Sequence, residues 1–115
     1  MSSWPNAKVL IPTVASLPMA VMTTDYNGVV LWANPCLSRL TGYGVEKIVG
    51  QNAGMLEADG TMHPLHDILH HVVASGEPWR GDSVGRRKNG ELYDIEWSIT
   101  PMGEGLLCYQ RSFLM

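Results

Sequence analysis

The chain is poor in cysteine and in charge and has no long apolar run, and each scarcity removes a class of protein. The two cysteines, Cys36 and Cys108, show no Cys-X-X-Cys spacing, which is typical of reduced thiols in a cytosolic chain. The net charge is −3 and the longest basic run is Arg86-Arg87-Lys88, so we expect no direct binding to nucleic acid. No apolar run approaches the roughly 18 residues of a membrane-spanning helix. Residues 1–14 lack the basic and apolar regions of a signal peptide.

Signatures of catalysis are missing as well. The chain contains no P-loop, no Gly-X-Ser-X-Gly, no His-Glu-X-X-His and no Ser/His/Asp grouping. Asp94 and Glu96 lie two residues apart on the polar face of one predicted strand, where carboxylates ordinarily face solvent. What the chain does have is 45% hydrophobic residues among 115, enough for one folded domain with a core.

The clearest local pattern runs from Trp79 to Thr100 and predicts a β-hairpin. Lys88-Asn89-Gly90 forms the turn, and an Asn-Gly pair predicts positive φ at both of its residues. The returning strand alternates, with apolar residues on one side and polar residues on the other, as in a half-buried strand. The inward residues are Tyr93, Ile95, Trp97 and Ile99. Whatever covers them is either the core or a ligand.

The other elements complete an α+β pattern. Strands are predicted at residues 20–24, 29–33 and 106–112, and helices after Asn34-Pro35 and over residues 64–74. Strands in two blocks around a helical insert favour an antiparallel sheet with helices on one face. Residues 5–17, interrupted by Pro12, form an amphipathic lead-in that suits a cap or a dimer contact.

Three stretches in order resemble the PAS sensory domain: TTDYNGVVLWANP, LTGYGVEKIVGQN and GEPWRGDSVGRRKNGELYDIEWSITPM. The resemblance implies a five-stranded antiparallel sheet with short helices on one face. It places an N-terminal helical cap at residues 1–17 and the PAS domain at residues 18–115. It further implies a non-catalytic sensor in a cytoplasmic bacterial signalling protein, N-terminal to a diguanylate cyclase or histidine kinase domain. A homodimer through the N-terminal segment and the outer sheet face is expected.

Within that family the chain is most similar to the flavin-binding domains of aerotaxis receptors and nitrogen-fixation regulators. Those relatives carry a Trp where this chain has His70 and an Asn where it has Gly85. If FAD binds, the resemblance places it against Gln51, Asn52, His70, Gly85 and Trp97. The loop GQNAGMLEADG also resembles blue-light LOV domains, but Ala53 stands where their reactive cysteine would be. LOV adduct chemistry is therefore excluded.

Trp97 supports an alternative to flavin binding, in which side chains fill the interior. A buried tryptophan covers about 150–250 Å² and could fill much of the space that a large cofactor needs. The sequence thus leaves open a filled core, a pocket for an unknown small ligand, and FAD. The candidate pocket residues are Asn52, Met55, Leu69, Val73, Ile95, Trp97 and Ile99.

Four histidines, His63, His66, His70 and His71, crowd one predicted helix. His66 and His70 are four residues apart and share a face, so they are weak candidates for a metal site, and a histidine here could also bind heme iron. The apolar face of the same helix, however, is Leu65, Ile68, Leu69 and Val72. The histidines then lie at its edge or on the solvent side.

Overall fold

Five antiparallel strands form a single sheet in a computed structural model that describes residues 19–112. The strand order is β2-β1-β5-β4-β3, so the last strand lies in the centre and joins the two blocks. This confirms the predicted α+β fold and its five-stranded antiparallel sheet. The predicted cap at residues 1–17 lies outside the described residues. The strands are β1 (Ala20–Thr24), β2 (Val30–Ala33), β3 (Trp79–Arg86), β4 (Leu92–Met102) and β5 (Gly105–Ser112).

The helices lie between β2 and β3 and cover one face of the sheet. A single core cluster joins residues of every strand except β3 to all four helical segments, and Trp79 of β3 packs against its edge. Within residues 19–112, no helix is long and apolar enough to cross a membrane. The segments are α1 (Pro35–Thr41), α2 (Val45–Ile48), a 3-10 helix (Ala53–Leu56) and α3 (Leu65–Ser75).

Asn34 and Pro35 begin α1 as predicted. Asn34 Oδ1 accepts a hydrogen bond from the backbone N–H of Leu37 at 3.0 Å, and it also accepts one from Val21 N–H at 3.0 Å. One side chain therefore caps the helix and ties it to β1. Gly42 ends the helix with φ of 82°, a conformation that disfavours any residue with a Cβ.

The β3–β4 turn lies where it was predicted, but its geometry differs. Gly90 has φ of 89°, whereas among residues 19–112 no residue other than glycine has positive φ, so Asn89 does not adopt the left-handed conformation. The N–H of Gly90 donates to the carbonyl of Arg87 at 2.9 Å, and Asn89 Oδ1 accepts from Glu91 N–H at 2.9 Å. The loop is longer than a two-residue Asn-Gly turn, so only one of its residues, Gly90, adopts the left-handed conformation.

Residues 51–61, predicted to be irregular, contain the 3-10 helix, and the residue after it caps α3. Pro64 precedes α3 and makes no side-chain cap. Instead, Glu57 Oε2 accepts a hydrogen bond from Leu65 N–H at 2.7 Å. Glu57 is eight residues away from Leu65, so no local capping pattern reveals this contact.

Replacing Glu57 by alanine is expected to cost about 1 kcal/mol of stability, because the first N–H of α3 loses its acceptor. Burial raises the pKa of the Glu57 carboxyl, although the bond from Leu65 lowers it. A carboxyl with a higher pKa in the folded state binds more protons when folded, so its contribution to stability falls as the pH rises through that range. Glu57→Gln keeps the acceptor without the charge. In urea denaturation from about pH 4 to pH 7, the free energy of unfolding of Glu57→Gln, relative to that of the native protein, should therefore rise with pH. If Glu57→Gln and Glu57→Ala lost equal stability at neutral pH, the carboxyl oxygen would not be the cap of α3.

Candidate functional site

The inner face of the sheet is built by β4 and β5 and is closed by the helices. Ile95, Trp97 and Ile99 of β4 are at most 1% exposed. In the β4–β5 register Trp97 is paired with Gln110, and Ile99 with Cys108. Cross-strand partners share a face, so Gln110 is a polar residue at an inward position, and it too is 1% exposed.

Two buried N–H donors lie on that pair of residues. Trp97 Nε1 and Gln110 Nε2 have no hydrogen-bond partner among the residues that the structure describes. A buried donor without a partner costs about 1–3 kcal/mol, so most are satisfied by protein, water or ligand. Two such donors on directly paired residues are the most ligand-like feature of the described interior.

Tyr93 connects this pair to the edge of the sheet. Its hydroxyl donates to Gln110 Oε1 at 2.9 Å and thereby orients the Gln110 amide. Burial raises the pKa of Tyr93 to about 12, so the hydroxyl stays a donor at neutral pH. The ring lies against Gly85, where an added Cβ would come within 2.6 Å of Tyr93 Cζ. Gly85 therefore provides space for Tyr93.

Four residues named from the sequence surround a small cavity of about 90 Å³: Asn52, His66, Leu69 and His70. Tyr26 and Asn27 complete its wall. Asn52 is already engaged, since Oδ1 accepts from Gly54 N–H at 2.9 Å and Nδ2 donates to the carbonyl of Asn27 at 3.2 Å. Leu69 is 4% exposed and also belongs to the core, so it is common to the cavity and the interior.

The remaining predicted residues are dispersed. Met55 is partly buried against the core. Gln51 is exposed, and Val73 is 40% exposed because the apolar stripe of α3 passes through Leu69 and Val72 instead. Of the positions that the resemblance assigned to a flavin, Gln51, Asn52 and His70 are exposed, Trp97 is buried and Gly85 lies against the Tyr93 ring.

The histidines do not converge either. His63 precedes α3 and packs edge-on against Trp79, with ring centroids 5.7 Å apart. His66, His70 and His71 are exposed. Among residues 19–112, no group of three or more His, Cys, Asp or Glu side chains could hold a metal ion. Both cysteines are buried and free, and burial raises the pKa of Cys108 to about 12, which removes it as a thiolate nucleophile at neutral pH.

This geometry is that of a known family of sensory domains, whose sequence model, described as PAS domain, matches residues 18–111. The chain belongs to the PAS domain family. Three curated relatives are similar to this PAS domain. The nitrogen fixation regulatory protein of Klebsiella oxytoca is 29% identical over 77% of the chain, and the aerotaxis receptor of Escherichia coli K12 is 28% identical over 89%. A blue-light-activated histidine kinase of Brucella canis is 30% identical over 64% of the chain.

Among solved structures, the PAS domain of a Colwellia psychrerythraea protein superposes with a TM-score of 0.79 at 23% identity, covering 92% of this chain and 98% of that one. The match therefore includes nearly the whole fold. In contrast, this PAS domain spans only 18%, 20% and 15% of the three curated relatives' lengths. It corresponds to one part of each of those longer proteins.

The sequence analysis did not predict Gln110 as a site residue, nor its hydrogen bond with Tyr93. The signal for Gln110 is present in β5, where it continues the inward alternation of Leu106 and Cys108. A polar residue at an apolar position marks either a buried hydrogen-bond partner or a ligand contact. The partnership with Tyr93 depends on strand register, which the sequence alone does not specify.

Proposed function

We propose that this PAS domain is a non-catalytic sensory module that binds a small molecule bearing hydrogen-bond acceptors between the sheet and α3. The observation that carries the proposal is the pair of unpartnered donors, Trp97 Nε1 and Gln110 Nε2. A carbonyl or carboxylate oxygen near both would accept from both N–H groups. Ligand binding would then be favoured by relief of the desolvation penalty that the two unpartnered donors impose on the unliganded core.

The described core favours a small ligand. The cavity of about 90 Å³ beside Leu69 holds only a few non-hydrogen atoms, since one water takes about 30 Å³ in the liquid. Leu69 separates this space from the core, so rotation of its side chain provides a route inward. A ligand that enters by this route moves α3 relative to β4, and that displacement is the proposed signal.

The test is thermal melting of the purified domain with short carboxylic and keto acids, together with native mass spectrometry of freshly prepared protein. Bound ligand should raise the melting temperature. The rise should be lost in Trp97→Phe, which removes one donor, and in Gln110→Met, which removes the other donor together with the acceptor of the Tyr93 hydroxyl. Met22→Leu, a conservative change at another buried core position, should keep it.

Two results would count against this proposal. One is the absence of any co-purifying mass or any melting shift across the acid panel. The other is an equal ligand response in the native protein and in Trp97→Phe. Loss of the response in Met22→Leu as well would mean that general core packing, and not the donor pair, controls binding.

A flavin is the second candidate ligand, and it is favoured by similarity to the nitrogen fixation regulatory protein and the aerotaxis receptor. The two donors also suit the acceptor atoms at a flavin ring edge. Binding would require Tyr93 to leave Gly85 or Trp97 to change rotamer. An absorption spectrum with the paired visible bands of an oxidised flavin would support it, and a flat trace after added FAD would exclude it.

We further propose that the domain dimerises and controls an output domain in the same cytoplasmic protein, a histidine kinase or a diguanylate cyclase. The kinase option is supported by the Brucella relative. The outer sheet face carries partly exposed apolar side chains suited to self-association, and sedimentation velocity of the melting samples, with and without ligand, gives the mass. These side chains are Trp32, Leu107 and Tyr109.

A further inference from the structure

A second, larger concavity lies on the surface at the end of α1. This cleft of about 430 Å³ falls within the usual range for small-molecule sites. It separates the C-terminal turn of α1 from the β3–β4 loop. It is lined by Arg39, Leu40, Thr41, Gly42, Arg87, Lys88 and Asn89.

The cleft is basic in a chain that is acidic overall. The protein has eight Lys and Arg residues against eleven Asp and Glu, and three of the eight line this cleft. Among residues 19–112, the side chains of Arg39 and Lys88 make no ion pair. Arg87 Nε lies 3.3 Å from Glu91 Oε1 but makes no hydrogen bond. Glu91 therefore compensates only Arg87, and the charges of Arg39 and Lys88 have no acidic partner among the described residues.

The two walls are held at a defined spacing. Lys88 N–H donates to the carbonyl of Thr41 at 2.8 Å, which ties the hairpin loop to the end of α1. The Arg87 guanidinium lies 5.4 Å from the centroid of the Tyr93 ring, and this contact restrains its direction. Two of the cations thus come from a loop that the fold anchors, which lowers the entropy cost of gathering them on a ligand.

We propose that this cleft binds a multiply charged oxyanion, namely the phosphate group of a phosphorylated small molecule. Arg39 and Arg87 offer planar, multidentate donors, and Lys88 adds a point charge. Glu91 competes with the ligand for Arg87. Neither Trp97 nor Gln110 lines this cleft, although Tyr93 contacts both Arg87 and Gln110.

The competing explanation is structural. Carbonyl groups at the end of a helix attract cations, and Arg39 lies in the last turn of α1. That role accounts for Arg39 but not for Lys88 and Arg87, which belong to another element. It also predicts that removing Arg39 lowers stability without changing the affinity for any anion.

The experiment is a titration of the native domain with inorganic pyrophosphate, followed by amide chemical shifts and by calorimetry. The largest shifts should fall on Gly42, Lys88 and Asn89. Arg39→Gln and Lys88→Gln should each weaken binding roughly tenfold, as loss of one charge-assisted contact implies. Lys47→Gln removes the same charge from α2, outside the cleft, and should change affinity less than about twofold. Glu91→Gln should tighten binding.

Shifts spread evenly over the basic surface, or equal weakening by Lys47→Gln and Lys88→Gln, would reduce the effect to general electrostatics and overturn the proposal. A stability loss in Arg39→Gln with unchanged pyrophosphate affinity would leave only the structural role. Failure of the acid panel in the core would not affect this result, because the two sites share no lining residue.

Discussion

Replacing Trp97 by alanine is expected to lower the free energy of unfolding by about 3–5 kcal/mol. The indole is 1% exposed and lies in the centre of the inner face, between Ile95 and Ile99 on its own strand. Its removal leaves a cavity that surrounding strands cannot close without distorting their ladders. Chemical denaturation of the native and variant domains measures the difference, and a loss below about 1 kcal/mol would show that the core does not pack around this side chain.

Trp97→Phe separates packing from the polar donor. Phenylalanine keeps most of the apolar contact but removes the unpartnered N–H, so part of the lost packing is offset by the relief of its desolvation cost. We expect Trp97→Phe to cost much less than Trp97→Ala. Equal losses would mean that the N–H has a partner in solution, such as an ordered water.

Replacing Gly85 by asparagine, the residue that the flavin-binding relatives carry there, is expected to destabilise the domain by about 1–3 kcal/mol. Strand propensity does not decide the sign, because glycine and asparagine are both poor strand residues. The clash decides the sign, since the new Cβ would lie 2.6 Å from Tyr93 Cζ. The ring must then move, and its hydroxyl leaves Gln110.

A double-mutant cycle with Tyr93→Ala gives the decisive measurement. Without the ring, Gly85→Asn should cost little or become stabilising, so the coupling energy should reach about 1 kcal/mol or more. Additive effects would show that Gly85 is required for another reason, such as its backbone conformation. If the asparagine variant instead gains flavin affinity, displacement of Tyr93 is the step that opens a flavin slot.

The sequence by itself determined the succession of the strands, the helices α1 and α3, and the family, but it missed the 3-10 helix. Strict alternation from Tyr93 to Ile99 predicts an inward face, and Asn34-Pro35 predicts the start of α1; the structure shows both. These are local signals, because side-chain period and capping depend on residues a few positions apart. Positive φ at Asn89 was predicted wrongly, since a loop one residue longer places only Gly90 in the left-handed region.

Tertiary structure alone decided which residues meet. The pairing of Trp97 with Gln110 depends on the β4–β5 register, and the Glu57 cap of α3 depends on how the 3-10 helix packs. The basic cleft joins Arg39 to Lys88, which are far apart in the chain. Such contacts carry no periodic or short-range signature in one sequence, because they arise where separately formed elements pack together. The sequence therefore specifies the sheet and its inward face, while packing specifies the donors, the cap and the cleft.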